Sequence, residues 1–202
     1  HSCMATEELL WRAGALAPVN VILDTEVNLI HGAKKTNIVE RTEGYARTVF
    51  DSYKIGLKPN ELIIIVNAYG INSMTIDTAL EAKKRQMKII AVTARSFCDN
   101  VPKGAKSRHS SNKNLYELAD VWVDCHLPYG DAAVDIEGLP QKVAPTSTFC
   151  NVFALNCLVI ETVKLLAERG FTPPVWVSAN VPHGDEANKA LESKYEGRIK
   201  HL

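Results

Sequence analysis

Apolar and polar positions change period several times along the chain, most sharply between residues 61 and 93, ELIIIVNAYGINSMTIDTALEAKKRQMKIIAVT. Leu62 to Asn67 opens as a continuous Ile- and Val-rich run, the pattern of a strand buried on both faces. Tyr69-Gly70-Ile71-Asn72 interrupts it, and Gly70 lets the backbone turn without a side-chain clash. Asn72 or Ser73 can cap the helix that follows, with Asp77 near its positive end. Ile76, Ala79 and Leu80 share one face of that helix, while Glu81 and Arg85 stand four apart on another. Lys88 to Thr93 returns as a second apolar strand. A strand, a glycine turn, a helix and a strand in this order predict a parallel sheet.

The remaining pattern adds elements on both sides. Residues 2–14 read as a helix ended by Gly14, and Ala17 to Leu23 as a short strand. Residues 26–30 and 38–53 read as two helices broken near Gly32. Residues 95–113, RSFCDNVPKGAKSRHSSNK, are polar and irregular: a solvated loop, or a mobile basic flap over an anionic ligand. A short helix at 115–119 precedes a strand at 121–124, and a long connection then runs through Asp131, Glu137-Gly138 and Pro140. The longest helix spans about 147–169, apolar around nearly all of its first four turns, which places it centrally or in a subunit interface. Residues 175–177 form a last extended piece and 185–195 a final helix. With no repeat or linker, residues 1–202 read as one domain.

Composition narrows the function classes. The chain has 202 residues, 46% hydrophobic, with 23 basic and 23 acidic side chains. Zero net charge argues against nucleic-acid and membrane-surface partners, and no apolar run approaches the roughly 20 residues that span a bilayer. Five cysteines without Cys-x-x-Cys spacing fit free thiols in a reducing cytoplasm. His1, His31, His109, His126, His183 and His201 lack ligand spacing, so no metal is expected, and no cofactor motif is present.

Two helix starts can attract an anion, because their first N–H groups have no partner within the helix. One is the turn at residues 67–73. The other is Thr146-Ser147-Thr148, where hydroxyls join the free N–H groups, although plain N-capping favours the same residue types. Glu8 and Glu43, on separate helices, read from spacing alone as surface acids.

The 67–73 turn resembles the SIS (sugar isomerase) domain, a phosphosugar-binding family with Ser-x-Ser-Gly-x-Thr or Ser at this point. Gly70 and Asn72 match that motif, while Asn67 and Tyr69 stand where the family has serines, so phosphate contact is expected through backbone N–H groups. The opening His1-Ser2 resembles the end of the family's Gly-x-Gly-His-Ser turn, with the strand before it lying ahead of residue 1. The resemblance implies a three-layer α/β/α sandwich with a mostly parallel sheet of about five strands. It further implies phosphosugar contacts from Ser2, Asn67, Tyr69, Gly70, Asn72, Ser73, Thr146, Ser147 and Thr148, with His1, His31 and His109 as further pocket candidates. A homodimer or larger assembly completes the expectation.

The same resemblance gives the carboxylates a role. Glu7-Glu8-Leu9 is similar to a stretch of the phosphoheptose isomerases whose second Glu is the acid/base, here Glu8. Thr42-Glu43-Gly44-Tyr45-Ala46 is similar to a stretch of the N-acetylmuramic acid 6-phosphate etherases, which points to Glu43. The isomerases' catalytic His has no counterpart in residues 147–169. Over the whole chain the patterns RAGxLAPV, ERxEGYA, PYGDA, IEGLPQKVxPTST, PPVxxSAN and GDExN resemble a subgroup of SIS proteins defined by sequence rather than by an activity. Two functions remain open: an isomerase or lyase acting on a phosphorylated, amino-type sugar, or a non-catalytic phosphosugar sensor.

Overall fold

The two apolar runs either side of Gly70 lie side by side as parallel strands. In the computed structural model, which describes residues 1–53 and 58–202, β1 (Leu62–Val66) pairs with β2 (Lys88–Thr93), setting Ile63 against Ile89 and Ile65 against Ala91. β2 pairs in parallel with β3 (Val121–Asp124) on its other edge. Alternate residues of this sheet feed two cores, which explains why the runs are apolar at nearly every position. Ile63, Ile65, Ile89 and Ala91 meet α4 (Ser73–Lys84) through Ile76, Ala79 and Ala82, together with Phe50 of α3 (Tyr45–Ser52) and the short α6 (Leu115–Leu118). The opposite face, with Val92 and the flanking Ala68 and Ala94, meets α1 (Ser2–Glu7) and α7 (Ser147–Glu168) through Ala5, Leu9, Ala154, Leu155 and Val159. The protein is therefore α/β, with helices on both sheet faces.

Several elements depart from the sequence pattern. The parallel sheet among the described residues has three strands rather than about five, and a second pair, β4 (Ala132–Val134) and β5 (Val143–Pro145), forms a small antiparallel hairpin in the 128–146 connection. Residues 17–23 do not join the sheet. Tyr53 instead satisfies both backbone groups of Leu23 through its hydroxyl, and the pairing nearby is one antiparallel bridge between Leu16 and Val175. Between this segment and the unpaired edge of β1 lies a cavity of about 670 Å3, walled by Val19, Val21 and Ile22 on one side and Leu62–Val66 on the other.

The expected helix at 38–53 is two pieces, α2 (Ala33–Val39) and α3, separated where Gly44 takes φ 85°. The expected helix at 26–30 is a pair of 3-10 turns. Residues 2–14 keep only six helical residues, and Trp11 turns away at φ 55° to pack its ring 4.5 Å from that of Trp176. The 95–113 stretch is not irregular throughout: it begins as α5 (Arg95–Asn100), and the buried Arg108 guanidinium donates to the carbonyls of Cys98 and Val101 and to Asn114 Oδ1. The final helix, α8 (Gly184–Tyr195), packs Tyr195 with Ala17 and Trp176.

α7 is 22 residues long and, by length and composition, apolar enough to cross a membrane, which the run-by-run reading of the sequence does not show. One side of it is docked on the sheet. On the other, Phe149 and Phe153 are 77% and 73% exposed.

Candidate functional site

The carboxyl ends of the three strands are where a parallel sheet presents its loops, and the anion candidates converge there. After β1 the chain turns through Asn67, whose Oδ1 accepts the N–H groups of Tyr69 at 3.0 Å and Gly70 at 2.8 Å. The two backbone donors expected to meet a phosphate are thus held by an asparagine. Gly70, at φ 60°, is seated so closely on β2 that a Cβ would lie 2.3 Å from Thr93 Oγ1 and 2.9 Å from Cys98 Sγ. Its glycine is needed for packing as well as for the turn. Asn72 is buried and donates to the Ser107 carbonyl at 3.3 Å, and Ser73 is buried in the first turn of α4.

The second helix start carries an anion of its own. Asp131 accepts the N–H of Thr146 at 2.9 Å, the N–H of Ser147 at 2.7 Å and the Ser147 hydroxyl at 3.0 Å. From the other side the Tyr69 hydroxyl donates to the same carboxylate at 2.9 Å. Burial works against the charged form of Asp131, but these four hydrogen bonds outweigh it and hold its pKa below the ordinary carboxylate range. Burial and the hydrogen bond to Asp131 together push the Tyr69 phenol well up, so it stays a donor. Thr148, half-buried, completes the first turn of α7. Tyr69 and Ser147, 78 positions apart, therefore share one partner, which sequence reasoning passed over as part of a connection.

Glu43 and His109 meet in a third cluster. Glu43 accepts the Ser110 N–H at 2.7 Å and the Ser110 hydroxyl at 2.9 Å, contacts that lower its pKa, the backbone one most. Its Oε2 lies 3.7 Å from His109 Nε2. The His109 ring is buried. Its Nδ1 receives the Ser111 N–H at 3.0 Å, so that nitrogen is the acceptor and Nε2 carries the proton toward Asp77 Oδ1 at 3.1 Å. Asp77 also accepts the Gly44 N–H at 2.5 Å. Three segments, 43–44, 77 and 109–111, are thereby tied together beside the turn into α4.

Other expected residues lie apart. Glu8, just past α1, pairs with Arg12 at 3.2 Å, and among the described residues no hydrogen bond or ion pair links it to Glu43. His31 is exposed and faces Glu26 at 3.7 Å. His1 caps α1 from an exposed position, and the Ser2 carbonyl accepts the Thr6 hydroxyl within that helix. Glu40, which spacing did not single out, is half-buried at the end of α2, and burial raises its pKa against the opposing pull of Arg41 and the chain's amino group. Its charge acts on Tyr69 as well, adding a smaller upward push to that of burial and Asp131.

Sequence comparison sets this geometry in a family. The SIS domain description matches residues 1–94. UPF0309 proteins of Thermoanaerobacter pseudethanolicus and Caldanaerobacter subterraneus are 41% and 39% identical over 204 residues, covering 100% of this chain and 80% of each relative. The chain belongs to the UPF0309 family. A UPF0309 protein of Listeria monocytogenes is 39% identical over 202 residues, again across 100% of the chain and 80% of the relative. In the SIS-matched part of this UPF0309 chain lie β1, the Asn67–Ser73 turn, α4, β2 and both glutamates. The Asp131 hairpin and α7 lie beyond it but within the span shared with the relatives.

Proposed function

We propose that this UPF0309 protein binds a phosphorylated sugar at the carboxyl edge of its sheet, with the phosphate at the start of α7. The observation that carries this reading is the Asp131 cradle. Two backbone N–H groups and two hydroxyls from distant segments converge on one oxyanion, which is what recognition of a phosphate requires. The phosphate takes the place of the Asp131 carboxylate. Chemistry follows by proton abstraction beside the sugar carbonyl: Glu43, oriented by its two hydrogen bonds from Ser110, and Glu8 are the two carboxylates the SIS resemblance names. The enediolate then expels a substituent or is reprotonated next door. A phosphorylated amino sugar fits either outcome.

A non-catalytic sensor is the second reading, favoured by the pairing of Glu8 with Arg12 and by the capture of the Tyr69 and Gly70 N–H groups by Asn67. A thermal-shift titration against hexose and aminohexose 6-phosphates tests the shared claim of binding. A ligand at about 100 times its Kd adds about 2.7 kcal/mol. No stabilisation by any of them would overturn both readings.

The fuller SIS sandwich is part of the same proposal. The cavity along β1 is lined by apolar side chains on both sides, and a further strand pairing with the free edge of β1 fits it. About a fifth of each relative lies outside the matched stretch. We assign the exposed Phe149 and Phe153 to a homodimer contact, and the five free cysteines support a cytoplasmic setting.

A further inference from the structure

The sheet-facing stripe of α7 consists of Asn151, Ala154, Leu155 and Val159. The last three pack against Ala68, Ala94 and Leu127, residues just beyond the carboxyl ends of the three strands. Asn151 is the one polar member, only 2% exposed, and its Oδ1 has no hydrogen-bond partner. No other buried side-chain oxygen or nitrogen among the described residues is left in that state. A buried carbonyl without a donor is destabilising, so it calls for an explanation in a native structure.

Its position supplies one. Asn151 is four residues after Ser147 and therefore on the same helix face, about 5–6 Å away between Cβ atoms. Helical side chains lean toward the N-terminus, which aims Asn151 under the turn where Ser147 holds the Asp131 carboxylate. We propose that Asn151 Oδ1 is a ligand-binding group, accepting a hydrogen bond from a hydroxyl or N–H of the sugar about one helical turn from its phosphate. This rests on the phosphosugar reading and deepens it. The ligand class is a phosphate ester whose sugar carries a hydrogen-bond donor, a part that inorganic phosphate lacks.

The inference separates two roles that an asparagine at this place can have. A structural asparagine stabilises the unliganded protein, and its replacement lowers Tm. An asparagine waiting for a ligand does the opposite, because removing an unpaired buried acceptor relieves the unliganded state.

Calorimetric titration of the wild-type protein and Asn151→Leu tests this, using inorganic phosphate and the 6-phosphates of glucose, glucosamine and N-acetylglucosamine. The expected result is an unliganded Tm equal to or above wild type and about a tenfold loss of affinity for the best sugar phosphate. Affinity for inorganic phosphate should not change. Should Asn151→Leu fail to fold, Asn151→Ala replaces it, with the same expectation for affinities. Equal binding of the sugar phosphate by variant and wild type overturns the role of Asn151 alone, and so does an equal loss for sugar phosphate and phosphate. A wild-type protein that binds none of the four compounds overturns the phosphosugar reading and this inference together.

Discussion

The imidazole of His109 is fixed by Asp77, 3.1 Å from Nε2 to Oδ1, and the tautomer is set by the Ser111 N–H on the other ring nitrogen. Asp77 is largely buried, its side chain 15% exposed, and its second oxygen holds the Gly44 N–H. His109→Ala removes one of the two donors from a buried carboxylate. The expected cost is about 1–3 kcal/mol, read as a lower denaturant midpoint with an unchanged slope. A variant as stable as wild type would mean that the cluster is not a tie between loops.

Asp131 gives a test of displacement. Asp131→Ala frees the Thr146 and Ser147 N–H groups and the Ser147 and Tyr69 hydroxyls. If the carboxylate occupies the cradle about 90% of the time, its removal should raise phosphate affinity by ~tenfold. Calorimetry with inorganic phosphate measures this, and unchanged or weaker binding would show that the cradle serves only to anchor the hairpin. The pH dependence follows from the depressed pKa of Asp131. A carboxylate whose folded pKa is lowered contributes stability above its unfolded pKa and loses it as pH falls through the folded value. Acid titration of Tm should therefore fall less steeply below the ordinary carboxylate range in Asp131→Ala than in wild type.

How much of this the sequence displays depends on range. The strand, turn, helix and strand at 62–93 are legible because each is specified locally, by an Ile run, a glycine and a 3.6-residue period. The convergence on Asp131 is not. Tyr69 is 62 positions before it and Ser147 is 16 after it, and no local pattern encodes such a pairing. Thr146-Ser147-Thr148 was recognisable as a helix start able to hold an anion, while the anion itself was not. The same reason hides Glu40, whose raised pKa comes from burial that only the fold creates. The single helix expected at 38–53 fails at Gly44, where a left-handed residue breaks a period that the side chains alone would continue.

The two glutamates can be separated by substitution. Glu43→Gln keeps an acceptor for Ser110 but cannot take a proton, so turnover of a sugar phosphate should fall about 10²- to 10⁴-fold with affinity nearly unchanged. Glu8→Gln should fall as far if Glu8 leaves Arg12 to act on the ligand. Single-turnover assays on the best-binding 6-phosphate decide it. Normal turnover in one variant removes that residue from the chemistry; normal turnover in both favours the sensor.

Phe149 and Phe153 stand one turn apart on α7 at 77% and 73% exposure, with Ile160 at 61% further along. Isolated apolar side chains on a surface are ordinary, but a run of this size on one helix marks a contact. The helix is held to the sheet by its opposite side, through Ala154, Leu155 and Val159, so the exposed stripe is not needed for docking within the chain. A second copy meeting that stripe would bury both phenylalanines, each worth about 1.5–3 kcal/mol when fully withdrawn from water. Phe149→Asp with Phe153→Asp would place two charges in such an interface while leaving the monomer's own core untouched. Sedimentation should then show a dimer for the wild-type protein at micromolar concentration and a folded monomer for the double variant. A wild-type monomer, or a variant that still dimerises, would move the assembly contact off α7. Loss of folding in the double variant would instead show that the stripe is covered within the chain.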